Sequence, residues 1–122
     1  MRVMKEQVVL KNINNFENKS LIIVDDDNPF RERLARAMEK KGFEVYQAES
    51  VQKGIESVKV KKPGFAVVDL RLGDGNGVEV VKEIQITHSE SRIIMLTGYG
   101  KIPTAVAALK EGAIDYLAKP AD

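Results

Sequence analysis

Short apolar runs alternate with longer segments of helical period from residue 20 onward. Residues 21–24 are four β-favouring residues bounded by polar ones, which predicts a buried strand. Asn28 offers a helix N-cap, Pro29 suits the first helical position, and Gly42 suits the helix end. The first unit is therefore predicted to be a strand followed by a helix, with an inward face formed by Phe30, Leu34, Ala37 and Met38.

The same unit repeats along the chain. Further strands are predicted at 43–48, 65–68, 93–96 and 116–118, with loops at 70–77 and 97–101. Helices are predicted after Ser50, from Val78 and over 102–111, and the inward residues of the first two are Val51, Ile55, Val58, Val78, Val81 and Ile84. Strands that alternate with helices favour a parallel sheet covered on both faces. We predict an α/β fold, a flavodoxin-like doubly wound sheet of five parallel strands, with its final helix missing from this chain.

Composition and charge limit the classes of function that this chain can have. A length of 122 residues with 43% hydrophobic residues fits one globular domain, predicted over 20–122, and the asparagine-rich residues 1–19 are expected to form a flexible arm. A net charge of +1 provides no long-range field for nucleic acid or anionic lipid. The absence of cysteine excludes disulfides and thiolate chemistry within these residues. No apolar run has the length of a membrane span or a signal peptide, so we expect a cytoplasmic protein without membrane contact.

Polar side chains follow four of the five predicted strands. In doubly wound sheets the ligand site lies outside the carboxyl ends of the strands, where the strand order reverses. Carboxylates that converge there from two strands are commonly held together by a hard divalent cation, most often Mg²⁺. A hydroxyl and an ammonium group nearby would suit phosphoryl oxygens, with an aspartate as the acceptor. The residues concerned are Asp25, Asp26, Asp27, Asp69, Thr97 and Lys119.

Taken together, Asp25-Asp26, Asp69, Thr97 and Lys119-Pro120 resemble the receiver domain of bacterial two-component response regulators, over about the last hundred residues. The resemblance implies a phosphoacceptor signalling domain, not a turnover enzyme, that takes its phosphoryl group from a sensor histidine kinase. Asp69 would be the phosphoacceptor. Mg²⁺ would be held directly by Asp26 and Asp69, by Asp25 mainly through a water, and by the backbone carbonyl of Arg71. Thr97 and Lys119 would contact the phosphoryl group, and Tyr116 would be the aromatic switch.

Residues 69–77, 96–100 and 115–120 look most like the RegA, PrrA and ActR group of redox-responsive global regulators. That likeness implies transcription regulation through a C-terminal helix-turn-helix domain that binds DNA and is absent from this chain, with a homodimer formed on phosphorylation. Two departures are expected to matter. Leu72-Gly73 replaces the family's common Met-Pro pair, so the loop should be looser. The missing last helix should leave one sheet face partly uncovered, unless residues 1–19 or another chain cover it.

Three other functions use parts of this pattern. The Asp-x-Asp of residues 25–27 also fits a Mg²⁺ phosphatase of the haloacid-dehalogenase type, but that class needs a Thr where this chain has Pro29-Phe30. A flavin or nucleotide binder needs a Gly-rich or Ser/Thr-rich loop after the first strand, and three aspartates there would repel a phosphate. A receiver that only docks partners is disfavoured by the intact acidic set. Asp27 is interpreted as part of a helix cap and is left out of the metal set.

Overall fold

The computed structural model describes residues 18–96 and the backbone of residues 97 and 115–118. The chain order of elements is β1 (Ser20–Val24), α1 (Asn28–Lys40), β2 (Glu44–Ala48), α2 (Val51–Lys61), β3 (Phe65–Asp69), β4 (Arg71–Leu72), β5 (Gly75–Asn76), α3 (Val78–Thr87), β6 (Arg92–Thr97) and β7 (Asp115–Ala118). The predicted helix over 102–111 and the loop after residue 97 lie outside the described residues.

Five strands form one parallel sheet in the order β2-β1-β3-β6-β7. β1 pairs with both β2 and β3, so that Val24 lies beside Ala48 on one side and Val68 on the other. The chain therefore adds β2 on one side of β1 and the later strands on the other side, so the strand order reverses at the boundary between β1 and β3. This order confirms the predicted doubly wound fold and identifies the carboxyl ends of β1 and β3 as the expected location of a site.

Two apolar clusters cover the two faces of the sheet. The larger contains the alternating residues Ile22 and Val24 of β1 and is packed against α2 and α3 through Val58 and Ile84. The smaller contains Leu21, Ile23, Ala35, Phe43 and Phe65 and lies under α1. Both faces of β1 are thus buried, as expected for a central strand of a parallel sheet.

The first two helices begin and end close to their predicted limits, with two differences. The N-cap of α1 is Asp27, whose side chain accepts a hydrogen bond from the Phe30 amide, so Asn28 is the first helical residue and not the cap. Ala37 was predicted to face inward, but it is exposed, and Ala35 is the buried residue of α1. The buried positions of a helix depend on the surface that it packs on, which the periodicity of apolar residues does not specify.

The segment between β3 and α3 differs more from its prediction. The sequence predicted a loop over residues 70–77, but the structure contains a short antiparallel hairpin of β4 and β5, in which Arg71 pairs with Asn76 and Leu72 with Gly75. The Leu72 side chain is buried in the larger cluster. In α3, Val80 is fully buried together with the predicted Val81 and Ile84, whereas Val78 is only partly buried.

Within the described ranges, none of the helices combines the length and the apolar character that crossing a bilayer requires.

Candidate functional site

Three carboxylates meet at the carboxyl ends of β1 and β3. One side-chain oxygen from each of Asp25, Asp26 and Asp69 lies within 4.8 Å of the other two. Asp25 and Asp69 are buried, whereas Asp26 is exposed. The structure thus brings together the three acidic residues that the sequence predicted as metal ligands.

The position of Asp25 is fixed by its backbone and by its side chain. Its amide donates to the Ala48 carbonyl at the end of β2 (3.0 Å), and its Oδ1 accepts from the Asp27 amide (2.9 Å). Arg31 on α1 donates from Nη1 to the Asp25 carbonyl (2.8 Å) and from Nε to Gln47 Oε1 (2.9 Å). The guanidinium group therefore joins the ends of β1 and β2 to the first turn of α1, and this contact was not predicted from the sequence.

Asp27 belongs to the helix and not to the acidic cluster. Its Oδ1 accepts from the Phe30 amide (3.1 Å), and its carbonyl accepts from the Arg31 amide (2.8 Å). A carboxylate in this position satisfies one of the free amides of the first helical turn. The Asp27 side chain therefore caps α1, as its place before Asn28-Pro29 indicated.

Asp69 is held by the backbone that follows it. Its Oδ1 accepts from the Arg71 amide (3.2 Å), which restrains the orientation of the carboxylate. The next residue, Leu70, donates to the Leu96 carbonyl of β6 (3.0 Å) and accepts from the Gly77 amide (2.8 Å). A Cβ atom on Gly77 would lie 2.1 Å from the Asp69 carbonyl oxygen. Only glycine allows the start of α3 to approach the end of β3 this closely.

The hairpin is also attached to α2 through Asp74. The Asp74 carboxylate accepts from the amides of Val51 (2.8 Å) and Gln52 (3.1 Å), the first two residues of that helix. These two hydrogen bonds lower the pKa of Asp74 below its usual value. The preceding residue, Gly73, lies near Asp26, because a Cβ atom there would be 3.8 Å from Asp26 Oδ2. The sequence-based interpretation assigned no role to Asp74 or Gly77, although their place in a glycine-rich turn was a signal for tight local geometry.

The donor set fits a hard divalent cation. Three carboxylate oxygens within 4.8 Å of one another repel if they are charged, and a cation of charge +2 removes that repulsion. Mg²⁺ prefers oxygen ligands and keeps several waters, so a half-open cluster of two buried carboxylates and one exposed carboxylate suits it. The three residues present can therefore hold the cofactor that the sequence predicted.

The remaining predicted site residues are described only in part. Thr97 is the last residue of β6, and its backbone pairs with Ala118 of β7. Tyr116 pairs along its backbone with Met95. The side chains of Thr97 and Tyr116, and the whole of Lys119, lie outside the described residues.

A parallel sheet in this order, with an acidic cluster at the reversal of strand order, defines a receiver-like α/β domain. The model of the response regulator receiver domain matches residues 21–122, which is most of the chain. The chain belongs to the response regulator receiver domain family.

Relatives with known names agree with this assignment. The chain is 59% identical over 105 residues to the acid tolerance regulatory protein ActR of Sinorhizobium medicae, covering 86% of this chain and 54% of that protein. It is 58% identical over 105 residues to the photosynthetic apparatus regulatory protein RegA of Rhodobacter capsulatus, covering 86% of this chain and 57% of that protein. The predicted likeness to the RegA and ActR group is confirmed. The chain spans about half the length of these relatives.

One solved structure is similar in fold and in sequence. It is a response regulator protein from Burkholderia pseudomallei with a phosphorylated aspartic acid, a calcium ion and citrate. The two structures share 38% sequence identity and a TM-score of 0.79, over 86% of this chain and 62% of that chain.

Proposed function

We propose that this domain accepts a phosphoryl group on Asp69 and thereby switches an attached output domain. The observation that carries the proposal is the cluster of Asp25, Asp26 and Asp69, in which the acceptor carboxylate is buried and is oriented by the Arg71 amide. A buried, oriented carboxylate next to a site for a divalent cation is suited to attack a phosphorus atom.

The proposed reaction transfers a phosphoryl group from a phosphohistidine of a sensor histidine kinase. An oxygen of Asp69 forms a bond to phosphorus, the bond between phosphorus and the imidazole nitrogen breaks, and the imidazole leaves with the electron pair. Asp25, Asp26, Asp69 and the backbone carbonyl of Arg71 would hold Mg²⁺, which supplies positive charge to the phosphoryl oxygens when it is bound. The protein's own contribution is to hold the acceptor still and to keep the three carboxylates together.

The proposed switch involves residues beyond the acidic cluster. Thr97 and Lys119 are assigned to the phosphoryl oxygens, since β6 and β7 end on the same edge of the sheet as β3. Tyr116 is assigned as the aromatic switch, which would follow Thr97 on phosphorylation. Their roles are carried over from the family.

The wider assignment concerns the whole regulator. We propose that residues 20–122 are its receiver domain and that residues 1–19 are a flexible arm. The relatives are named as regulatory proteins, and the matched region covers about half of their length. Both facts support the proposal of a DNA-binding output domain beyond the matched region. Phosphorylation would promote formation of a homodimer of the full-length regulator. The regulator would bind both the kinase and DNA in the cytoplasm.

The test is the intact mass of the chain after incubation with acetyl phosphate. A single phosphoryl adduct is expected with Mg²⁺ and none with EDTA, and Asp69→Asn should form no adduct. Asp27→Asn is the matched control, because it changes a neighbouring aspartate whose described side-chain hydrogen bond is that of a helix cap. An adduct on Asp69→Asn, or no adduct on folded wild-type protein, would refute the assignment of the acceptor.

A further inference from the structure

Helix α2 has two N-terminal caps, and one of them comes from a distant part of the chain. Ser50, the residue before the helix, accepts from the Lys53 amide with its hydroxyl (3.1 Å) and from the Gly54 amide with its carbonyl (2.9 Å). The two remaining free amides of the first turn, those of Val51 and Gln52, both donate to Asp74. The amides of the first three helical residues, which have no partner within the helix, are thus all satisfied.

The Asp74 cap fastens a segment that also adjoins the acidic cluster. Asp74 follows Gly73 in the turn between β4 and β5, and Gly73 lies beside the exposed carboxylate of Asp26. At the other end of β4, the Arg71 amide donates to Asp69 Oδ1. The hairpin therefore forms a hydrogen bond with one of the three carboxylates, lies near a second, and is attached to α2 at its turn.

We propose that Asp74 is a positioning residue for the metal site. By binding the first two amides of α2, it holds the hairpin and the main chain of Arg71 against the acidic cluster, and so sets the affinity of the cluster for Mg²⁺. This inference deepens the proposed function and rests on its assignment of Mg²⁺ to Asp25, Asp26 and Asp69. Asp74 itself does not bind the cation, because its carboxylate is occupied by the α2 amides.

A purely structural role for Asp74 makes a different prediction. If Asp74 only stabilised α2, its removal would act like the removal of Ser50, which caps the same helix turn and whose described hydrogen bonds lie within α2. If Asp74 positions the hairpin, its removal loosens Arg71 and Gly73 next to the carboxylates. Loss of a residue that orients metal ligands typically weakens metal binding about 10-fold to 100-fold.

The experiment is a titration of the full chain with Mg²⁺ alone, in the absence of a phosphoryl donor. Binding is monitored through amide chemical shifts in NMR spectra. Wild type, Asp74→Ala, Asp74→Asn and Ser50→Ala are compared after circular dichroism has shown that each is folded. We expect Asp74→Ala to raise the Kd for Mg²⁺ about tenfold and Ser50→Ala to leave it within about twofold. Asp74→Asn should lie between, because its amide group keeps one acceptor and places a donor against the second α2 amide.

A second readout uses phosphorylation by acetyl phosphate. The Mg²⁺ concentration that gives half the maximal rate should rise in Asp74→Ala, whereas the rate at saturating Mg²⁺ should stay within about threefold of wild type. Equal Mg²⁺ affinity in wild type and both Asp74 variants would overturn the inference, as would equal weakening in Ser50→Ala. Wild-type protein that binds Mg²⁺ but forms no adduct would instead refute the phosphoacceptor function and leave the positioning role standing. Wild-type protein that binds no Mg²⁺ would overturn both.

Discussion

Replacing Gly77 with alanine tests how tightly the end of β3, which carries the proposed phosphoacceptor Asp69, is held by α3. The new Cβ atom would lie 2.1 Å from the Asp69 carbonyl oxygen, 3.0 Å from the Asp69 carbonyl carbon and 3.0 Å from Val68 Cγ1. Two of these three atoms belong to the backbone of Asp69, which cannot rotate away as a side chain can. The start of α3 and the end of β3 must therefore separate.

The size of the separation follows from these distances. Ordinary contact begins at 3.4 Å, so the oxygen and the new carbon must move apart by about 1 Å or more. Forcing an extra carbon into a packed interior typically costs about 1–3 kcal/mol of stability. A displacement of about 1 Å at a reacting group can lower a rate about 100-fold. We therefore expect Gly77→Ala to accept phosphate from acetyl phosphate about 100-fold more slowly than wild type.

The assay is the time course of the phosphoryl adduct by intact mass at saturating Mg²⁺. Gly73→Ala is the matched control in the same segment, because the nearest atom to its Cβ would be Asp26 Oδ2 at an ordinary 3.8 Å. The control should stay within about threefold of wild type. If folded Gly77→Ala is phosphorylated as fast as Gly73→Ala, the close approach of α3 to Asp69 does not position the acceptor.

The remaining predictions concern stability and titration. Ile84→Val should lower the free energy of unfolding, measured in urea, by about 0.5–1.5 kcal/mol, because Ile84 is fully buried. The same change at Ile86, which is 80% exposed, should alter it by no more than about 0.5 kcal/mol, and equal losses would contradict the described core. Because amide hydrogen bonds lower the pKa of Asp74, its stabilisation is present above the unfolded value and is lost as pH falls through the lowered folded value. The gap in urea midpoint between wild type and Asp74→Ala should therefore be wide near pH 7 and narrow near pH 2, and a gap independent of pH would refute this. A hydrogen bond to Glu44 raises the pKa of Tyr46, so Glu44→Gln should let Tyr46 ionise at lower pH in an ultraviolet titration.

The fold and the acidic cluster could be predicted because each depends on local sequence features. A strand end is marked where an apolar run meets a polar residue, as at Val24-Asp25 and Val68-Asp69. Once alternation of strands and helices predicts a parallel sheet, those ends meet at one edge. No contact between Asp25 and Asp69 had to be known in advance.

The features that escaped prediction depend on partners far away in the sequence. Asp74 bonds with residues 22 and 23 positions before it, and its local sequence indicates only a turn. The need for glycine at position 77 arises from the carbonyl of Asp69, eight residues earlier, and appears only when α3 is placed against β3. Ala37 was assigned inward because apolar spacing gives the helical face but not its limits.

The segment after Asp69 is restrained by noncovalent contacts where relatives of the wider family commonly have a proline. With Leu72-Gly73 in place of a Met-Pro pair, the sequence predicted a looser loop, since proline restricts the backbone by covalent geometry. The described contacts supply other restraints: two strand pairs in the hairpin, burial of Leu72, and the bonds from Asp74 to α2. Unlike a proline ring, the two hydrogen bonds that Asp74 accepts depend on the charge of one exposed carboxylate. The rigidity of this segment should therefore respond to acidity, which a proline at the same place could not do.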